Sequence, residues 1–97
     1  MTREDVIATL RAHEQALRDL GILRVAVFGS VARGEANPND VDLVIAFDAA
    51  RRYSLVDLER VKNRLTTLLG ARVDLSVEPL RKERFRARVE QEMVRAF

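Results

Sequence analysis

The 97-residue chain is 47% apolar and 33% charged, with 17 Lys plus Arg against 15 Asp plus Glu, the composition of one small folded domain over residues 1–97 rather than of a disordered chain. It has no Cys and one His, which excludes a disulfide framework, a thiolate or multi-His metal site and a Cys nucleophile, while a net charge of +2 does not by itself call for nucleic acid. No apolar run approaches a membrane span, and the start of the chain is too charged for a signal peptide, so the expectation is a cytoplasmic protein without membrane contact.

In chain order, Thr2 and Asp5 form a capping-box-like start, and Val6, Leu10, Leu17 and Leu20 recur at helical spacing up to Gly21. The pattern predicts a first helix over residues 3 to 20. Ile22 to Phe28 is apolar and β-rich and reads as a strand ended by Gly29-Ser30. A short helix over Val31 to Glu35 and a turn around Pro38 follow. Val41 to Phe47 is the second strand. Ser54 and Asp57 cap another helix, with an apolar stripe of Leu55, Leu58, Val61, Leu65, Leu68 and Leu69 and Gly70 as its stop. Ala71 to Val77 is the third strand. Pro79 suits the first turn of a last helix carrying Phe85, Val89 and Met93. The alternation predicts an α/β (α+β) fold: a small sheet of about three strands flanked by helices.

Strand alternation isolates an unusual set of acids. Val41, Leu43, Ile45 and Phe47 share one face of their strand, and Asp40 and Asp42 share the other with Val44 and Ala46. In the next strand Asp74 and Ser76 stand opposite Val73, Leu75 and Val77. Asp is a poor strand former, and two at i and i+2 point the same way roughly 7 Å apart. Solvated sheet faces accommodate a single Asp such as Asp74. For the Asp40–Asp42 pair nothing local offsets the repulsion, and a divalent cation does so. Two such ions about 3.5–4 Å apart clamp a phosphoryl displacement. Gly29-Ser30 supplies a complement: Gly admits a phosphate close to the backbone, N–H groups at a helix start favour an anion, and the Ser hydroxyl can donate to it.

The stretch Val27-Phe28-Gly29-Ser30-Val31-Ala32-Arg33-Gly34-Glu35-Ala36, followed by Asp40-Val41-Asp42-Leu43-Val44, resembles the minimal nucleotidyltransferases of the polymerase-β-like superfamily. The resemblance extends to the leading helix, to Arg72-Val73-Asp74-Leu75 and to the Arg-rich last helix. It implies a mixed-sheet nucleotidyltransferase fold and transfer of a nucleoside monophosphate from an NTP, with ATP as the expected donor and two Mg²⁺ or Mn²⁺ ions as cofactors. It implies that Gly29 and Ser30 hold the triphosphate, that Asp40 and Asp42 ligate both ions, and that Asp74 binds the second ion and helps deprotonate the attacking hydroxyl. Members of this size are typically antitoxins whose partner is a helical HEPN-domain toxin, so the expected assembly is a hetero-oligomer with the toxin. Asn39 stands where family members commonly have Ser, as a candidate polar cap beside the nucleotide, and the Ser30 to Asp40 connection is one residue shorter than the commonest spacing.

Other candidates carry two readings each. Arg33 either touches phosphate or pairs with a nearby acid and braces its loop. His13 reads as a surface residue of the first helix, and Tyr53 as a packed or half-exposed loop aromatic rather than a base-stacking one. Arg81, Lys82, Arg84, Arg86 and Arg88 form either a solvated helix face or a docking surface for an acidic partner or an RNA. The main expectation is that the protein silences the toxin by transferring AMP to it, and two rivals stand beside it: a non-catalytic antitoxin that works by occupancy, and nucleotidyl transfer to an RNA 3′ end.

Overall fold

The computed structural model describes residues 1–35 and 40–97; the turn expected around Pro38, and Asn39 with it, lies outside the described residues. The elements in order are α1 (Arg3–Ala12), α2 (Glu14–Asp19), β1 (Ile22–Phe28), α3 (Gly29–Ala32), β2 (Asp40–Phe47), α4 (Leu55–Leu69), β3 (Arg72–Val77), α5 (Glu83–Glu92) and β4 (Val94–Arg95). They form a mixed sheet of order β3-β2-β1-β4. β2 runs antiparallel to β1 and parallel to β3, and β4 is antiparallel to β1. The α/β class is as expected, with one strand more than the sequence suggested.

Both capping boxes form. Thr2 accepts from the Asp5 amide and Ser54 from the Asp57 amide, while each Asp accepts from its cap backbone in return, satisfying N–H groups that have no helical acceptor. The single first helix of the sequence reading is instead two. It breaks at His13, where Nδ1 lies 2.9 Å from the Thr9 carbonyl oxygen and the backbone N–H donates to Leu10 at 3.2 Å. Leu10 and Leu17, on either side of the break, are both fully buried, and His13 is half-buried rather than a surface residue.

The sheet has two unlike faces. Val25, Val27, Val41, Leu43, Ile45 and Val73 pack with Val6, Leu10 and Leu17 from α1 and α2 and Val61, Leu65 and Leu69 from α4. On the other face α5 lies over the sheet, and Val89 joins Ala26, Phe28 and Val44, with Leu80 and Phe85 at the margin. The period-2 pattern therefore sorts these strand residues as expected. Leu65 is fully buried in the larger cluster. Leu65→Ala is expected to lower unfolding free energy by about 2–5 kcal/mol through lost burial and the cavity left behind. A denaturant titration followed by circular dichroism checks this, with the slope unchanged.

The last third departs most from expectation. Pro79 is not in the last helix, which begins at Glu83. Residues before it prolong the sheet: the Glu78 amide donates to Ile45 at 2.8 Å, and Arg24 pairs with Glu78. The helix ends at Glu92, and Val94–Arg95 turn out to be the fourth strand, with the Ala96 amide donating to Val25 at 2.9 Å. β4 satisfies an edge of β1 that would otherwise stand open. Among the described residues no helix is long and apolar enough to cross a membrane.

Candidate active site

β1 ends at Phe28 and the chain turns into α3 at Gly29, whose φ is +73°. A Cβ at this position would lie 2.2 Å from Asp42 Oδ2. Glycine is thus required twice, by a left-handed backbone and by the carboxylate against it. Ser30 follows, half-buried.

The acids come from the start of β2 and from β3 beside it. In the parallel register Asp40 pairs with Arg72 and Asp42 with Asp74. Asp42 also faces Phe28 across the antiparallel ladder, which sets it beside the Gly29 turn. Burial, reinforced by the negative charges of Asp74 and Asp40, holds the Asp42 carboxyl above the ordinary carboxylate range, and Arg33 opposes the shift. Asp40, two residues before Asp42 on the same strand, has its Oδ1 3.7 Å from the exposed Arg72.

Gly29, Ser30, Arg33, Asp42 and Asp74 line one cleft of about 260 Å³, so five of the residues singled out by sequence meet there. Asp40 is not on its wall. Three further charged or polar lining residues are Ser76, Arg88 and Glu92, and Phe28, Phe85 and Val89 complete the wall. In the sequence Arg88 reads only as part of a basic run, and Glu92 as one of the acids that follow it, not as a site residue. The spacing 85, 88, 89 and 92 is one helical face, and a face that mixes Phe and Val with Arg and Glu was the available signal. Arg33 shows its bracing contacts: its Nε donates to Glu35 and its guanidinium to Glu92 at 3.0 Å. Those two carboxylates, Glu35 foremost, push its pKa up, and the pair with Glu92 ties the α3 turn to α5. Tyr53 stacks on Phe47 with ring centroids 3.9 Å apart, at the end of β2 opposite Asp40, so it takes no part in this cleft.

The donor set suits a hard divalent cation, since adjacent carboxylates from paired strands, Asp42 with its charged form disfavoured by burial, are the arrangement that Mg²⁺ or Mn²⁺ would relieve. Among the described residues no three acidic side chains already converge on one point; Asp42 and Asp74 face each other, and Asp40 lies towards Arg72.

The nucleotidyltransferase domain profile matches residues 10–96. The protein adenylyltransferase MntA of Thermococcus cleftensis is 39% identical over 77 residues, which cover 77% of this chain and 76% of that protein. A solved structure described as a candidate minimal nucleotidyltransferase superposes with a TM-score of 0.77 at 41% identity, covering 97% of this chain and 95% of the other. A solved complex of a tri-AMPylated Shewanella oneidensis HEPN toxin with an MNT antitoxin aligns with a TM-score of 0.65 at 16% identity, covering 94% of this chain and 71% of that one, and shares the fold. The glycine turn pressed against a carboxylate pair therefore sits in a chain whose sequence and fold agree, and the chain belongs to the nucleotidyltransferase domain family.

Proposed function

We propose that residues 1–97 act as one nucleotidyltransferase domain that moves AMP from ATP to a hydroxyl of a cognate HEPN-domain toxin, and so serve as its antitoxin in the cytoplasm. The observation that carries this reading is the placement of Asp42 and Asp74 side by side, with Gly29 packed against the Asp42 carboxylate. The identity to an adenylyltransferase supports AMP as the group moved, and the fold shared with an antitoxin in complex with an AMPylated toxin supports the acceptor class.

In this mechanism Gly29 leaves room for a phosphate against the backbone, and the Ser30 hydroxyl donates to a phosphate oxygen. Asn39 is proposed as a further nucleotide-binding residue. Asp40, Asp42 and Asp74 are the residues to hold Mg²⁺ or Mn²⁺, which supplies charge neutralisation at the attacking and leaving oxygens when bound. The acceptor oxygen attacks the α-phosphorus in line as Asp74 takes the hydroxyl proton. The new O–P bond forms while the bond to the β-phosphate oxygen breaks, and pyrophosphate leaves with that electron pair. The protein contributes position and electrostatics rather than covalent chemistry.

The test is a brief incubation of purified toxin with this protein, ATP and Mg²⁺, followed by removal of the protein. The toxin is expected to stay inactive and to gain mass in steps of about 329 Da, the mass one adenylyl group adds. The double variant Asp40→Asn/Asp42→Asn is expected to leave the toxin mass unchanged. Full protection by that variant, with unmodified and reactivatable toxin recovered, would establish inhibition by occupancy instead. Extension of an RNA 3′ end with no toxin modification would move the acceptor to nucleic acid.

A further inference from the structure

We propose that Arg88 is the side chain that grips the outer phosphates of the nucleotide, an inference that rests on the nucleotidyltransferase reading of this cleft and extends it to the helix lying over the sheet. Among the described residues the cleft wall carries two cations, Arg33 and Arg88. The charge of Arg33 is already answered twice, by Glu35 and by Glu92. Glu92 lies one helical turn beyond Arg88 and is the partner that spacing would give it, but its carboxylate is bound to Arg33 at 3.0 Å. No carboxylate among the described residues stands within ion-pair distance of Arg88.

The backbone beneath this uncommitted guanidinium is fixed. Val89, the next residue, is 1% exposed in the cluster under α5. Phe85, one turn earlier, meets the Phe28 ring edge-on at a centroid distance of 5.7 Å. Phe28 immediately precedes the Gly29-Ser30 turn, so Arg88 is held at a set distance from the wall where the phosphates are to lie.

Electrostatics select the ligand. Acids outnumber bases on the cleft wall, and a triphosphate adds more negative charge. Metal at the carboxylates serves the reacting end, whereas the distal phosphates need a cation of their own. A guanidinium offers a planar fork of donors that fits phosphate oxygens in pairs, and its strength grows as charge builds on the departing pyrophosphate. Arg33 then acts as a positioning residue: its bond to Glu92 keeps that carboxylate away from Arg88 and joins the turn to the helix.

Calorimetric titration of the wild type, Arg88→Gln, Arg88→Lys and Arg33→Gln with ATP and separately with AMP, each with Mg²⁺, tests the assignment. Arg88→Gln is expected to weaken ATP about ten- to a hundredfold, the effect of one charge-assisted phosphate contact. AMP, which lacks the outer phosphates, is expected to bind it as it binds the wild type. Arg88→Lys is expected to fall between, because a point charge replaces part of the fork. The melting temperature of the Arg88→Gln variant is expected to be unchanged, since the side chain is exposed. Equal losses for ATP and AMP, or ATP binding unchanged in Arg88→Gln, would overturn the proposal while leaving the enzyme reading intact. An ATP-selective loss in Arg33→Gln and not in Arg88→Gln would transfer the role to Arg33. A wild type that shows no Mg²⁺-dependent ATP binding would remove the nucleotidyltransferase reading itself, and this proposal with it.

Discussion

Asp42→Asn is expected to reduce nucleotidyl transfer about a hundred- to a thousandfold, the effect of deleting one group that serves a charged transition state, while making the metal-free protein slightly harder to unfold. The second half of that expectation follows from the register. Asp42 and Asp74 are adjacent like charges on paired strands, an arrangement that costs up to about 1 kcal/mol. Asp42 is partly solvated, so relief of about 0.5 kcal/mol and a rise of about 2–4 °C in melting temperature are expected. Burial, then Asp74 and Asp40, place the folded-state pKa above the unfolded value of 3.8. Ionisation of Asp42 therefore opposes folding. Its penalty is fully present above the raised value and is relieved as pH falls through that value towards 3.8. The difference in melting temperature between wild type and variant should accordingly be largest above this window and shrink below it. Thermal melts across pH, alongside a transfer assay, check both halves. A variant that retains transfer would remove Asp42 from the site, and one that melts far lower would make its carboxylate structural.

Gly29→Ala is expected to damage both stability and activity. Its φ of +73° is costly for any residue with a Cβ, and that Cβ would lie 2.2 Å from Asp42 Oδ2. The backbone contributes about 1–2 kcal/mol and the collision about 1–3 kcal/mol, so the melting temperature should fall by about 8–40 °C. Transfer should be lost even well below that temperature, because Asp42 must move to make room. Gly70 provides the control. It has a similar φ of +63°, and a Cβ there would meet nothing within 4 Å, so Gly70→Ala should show the backbone cost alone. The double variant Gly29→Ala/Asp42→Ala should recover most of the collision share of stability, only the Cβ of residue 42 remaining at 3.2 Å, without recovering transfer, the non-additivity expected of two groups in contact. Equal losses from Gly29→Ala and Gly70→Ala would mean that the Asp42 contact carries no energy.

Much of the site could be read from the chain because its parts obey short-range rules. The alternation of Val41, Leu43 and Ile45 with Asp40 and Asp42 told which face each side chain would take, and Gly29-Ser30 at a strand end marked the turn. Asp74 was assignable to a face but not to a neighbour, since β2 and β3 pair through a parallel crossover whose register depends on how α4 packs. Arg88 and Glu92 were hidden for a related reason: a basic run looks alike whether it faces water or a cleft, and only the docking of Val89 and Phe85 decides which. β4 was masked because Phe85, Val89 and Met93 keep a four-residue spacing beyond the end of the helix at Glu92. The break at His13 escaped notice because Leu10 and Leu17 lie a whole heptad apart, a spacing that an unbroken helix also satisfies.

The parallel pairing of Asp42 with Asp74 also makes the site resistant to gradual change. Side chains in a strand alternate, so a slip of β3 by one residue would set Asp74 among Leu43, Ile45 and Leu65 and turn both Val73 and Leu75 to the cleft face. No intermediate register exists in which the acids are slightly misaligned and the core still sound. Mutational drift in β3 therefore meets a cliff rather than a slope, and surviving variants keep the spacing between these carboxylates. Natural or laboratory selection for a different acceptor is left to work through the loops and the outward-facing positions of α5, which can vary without renumbering the ladder.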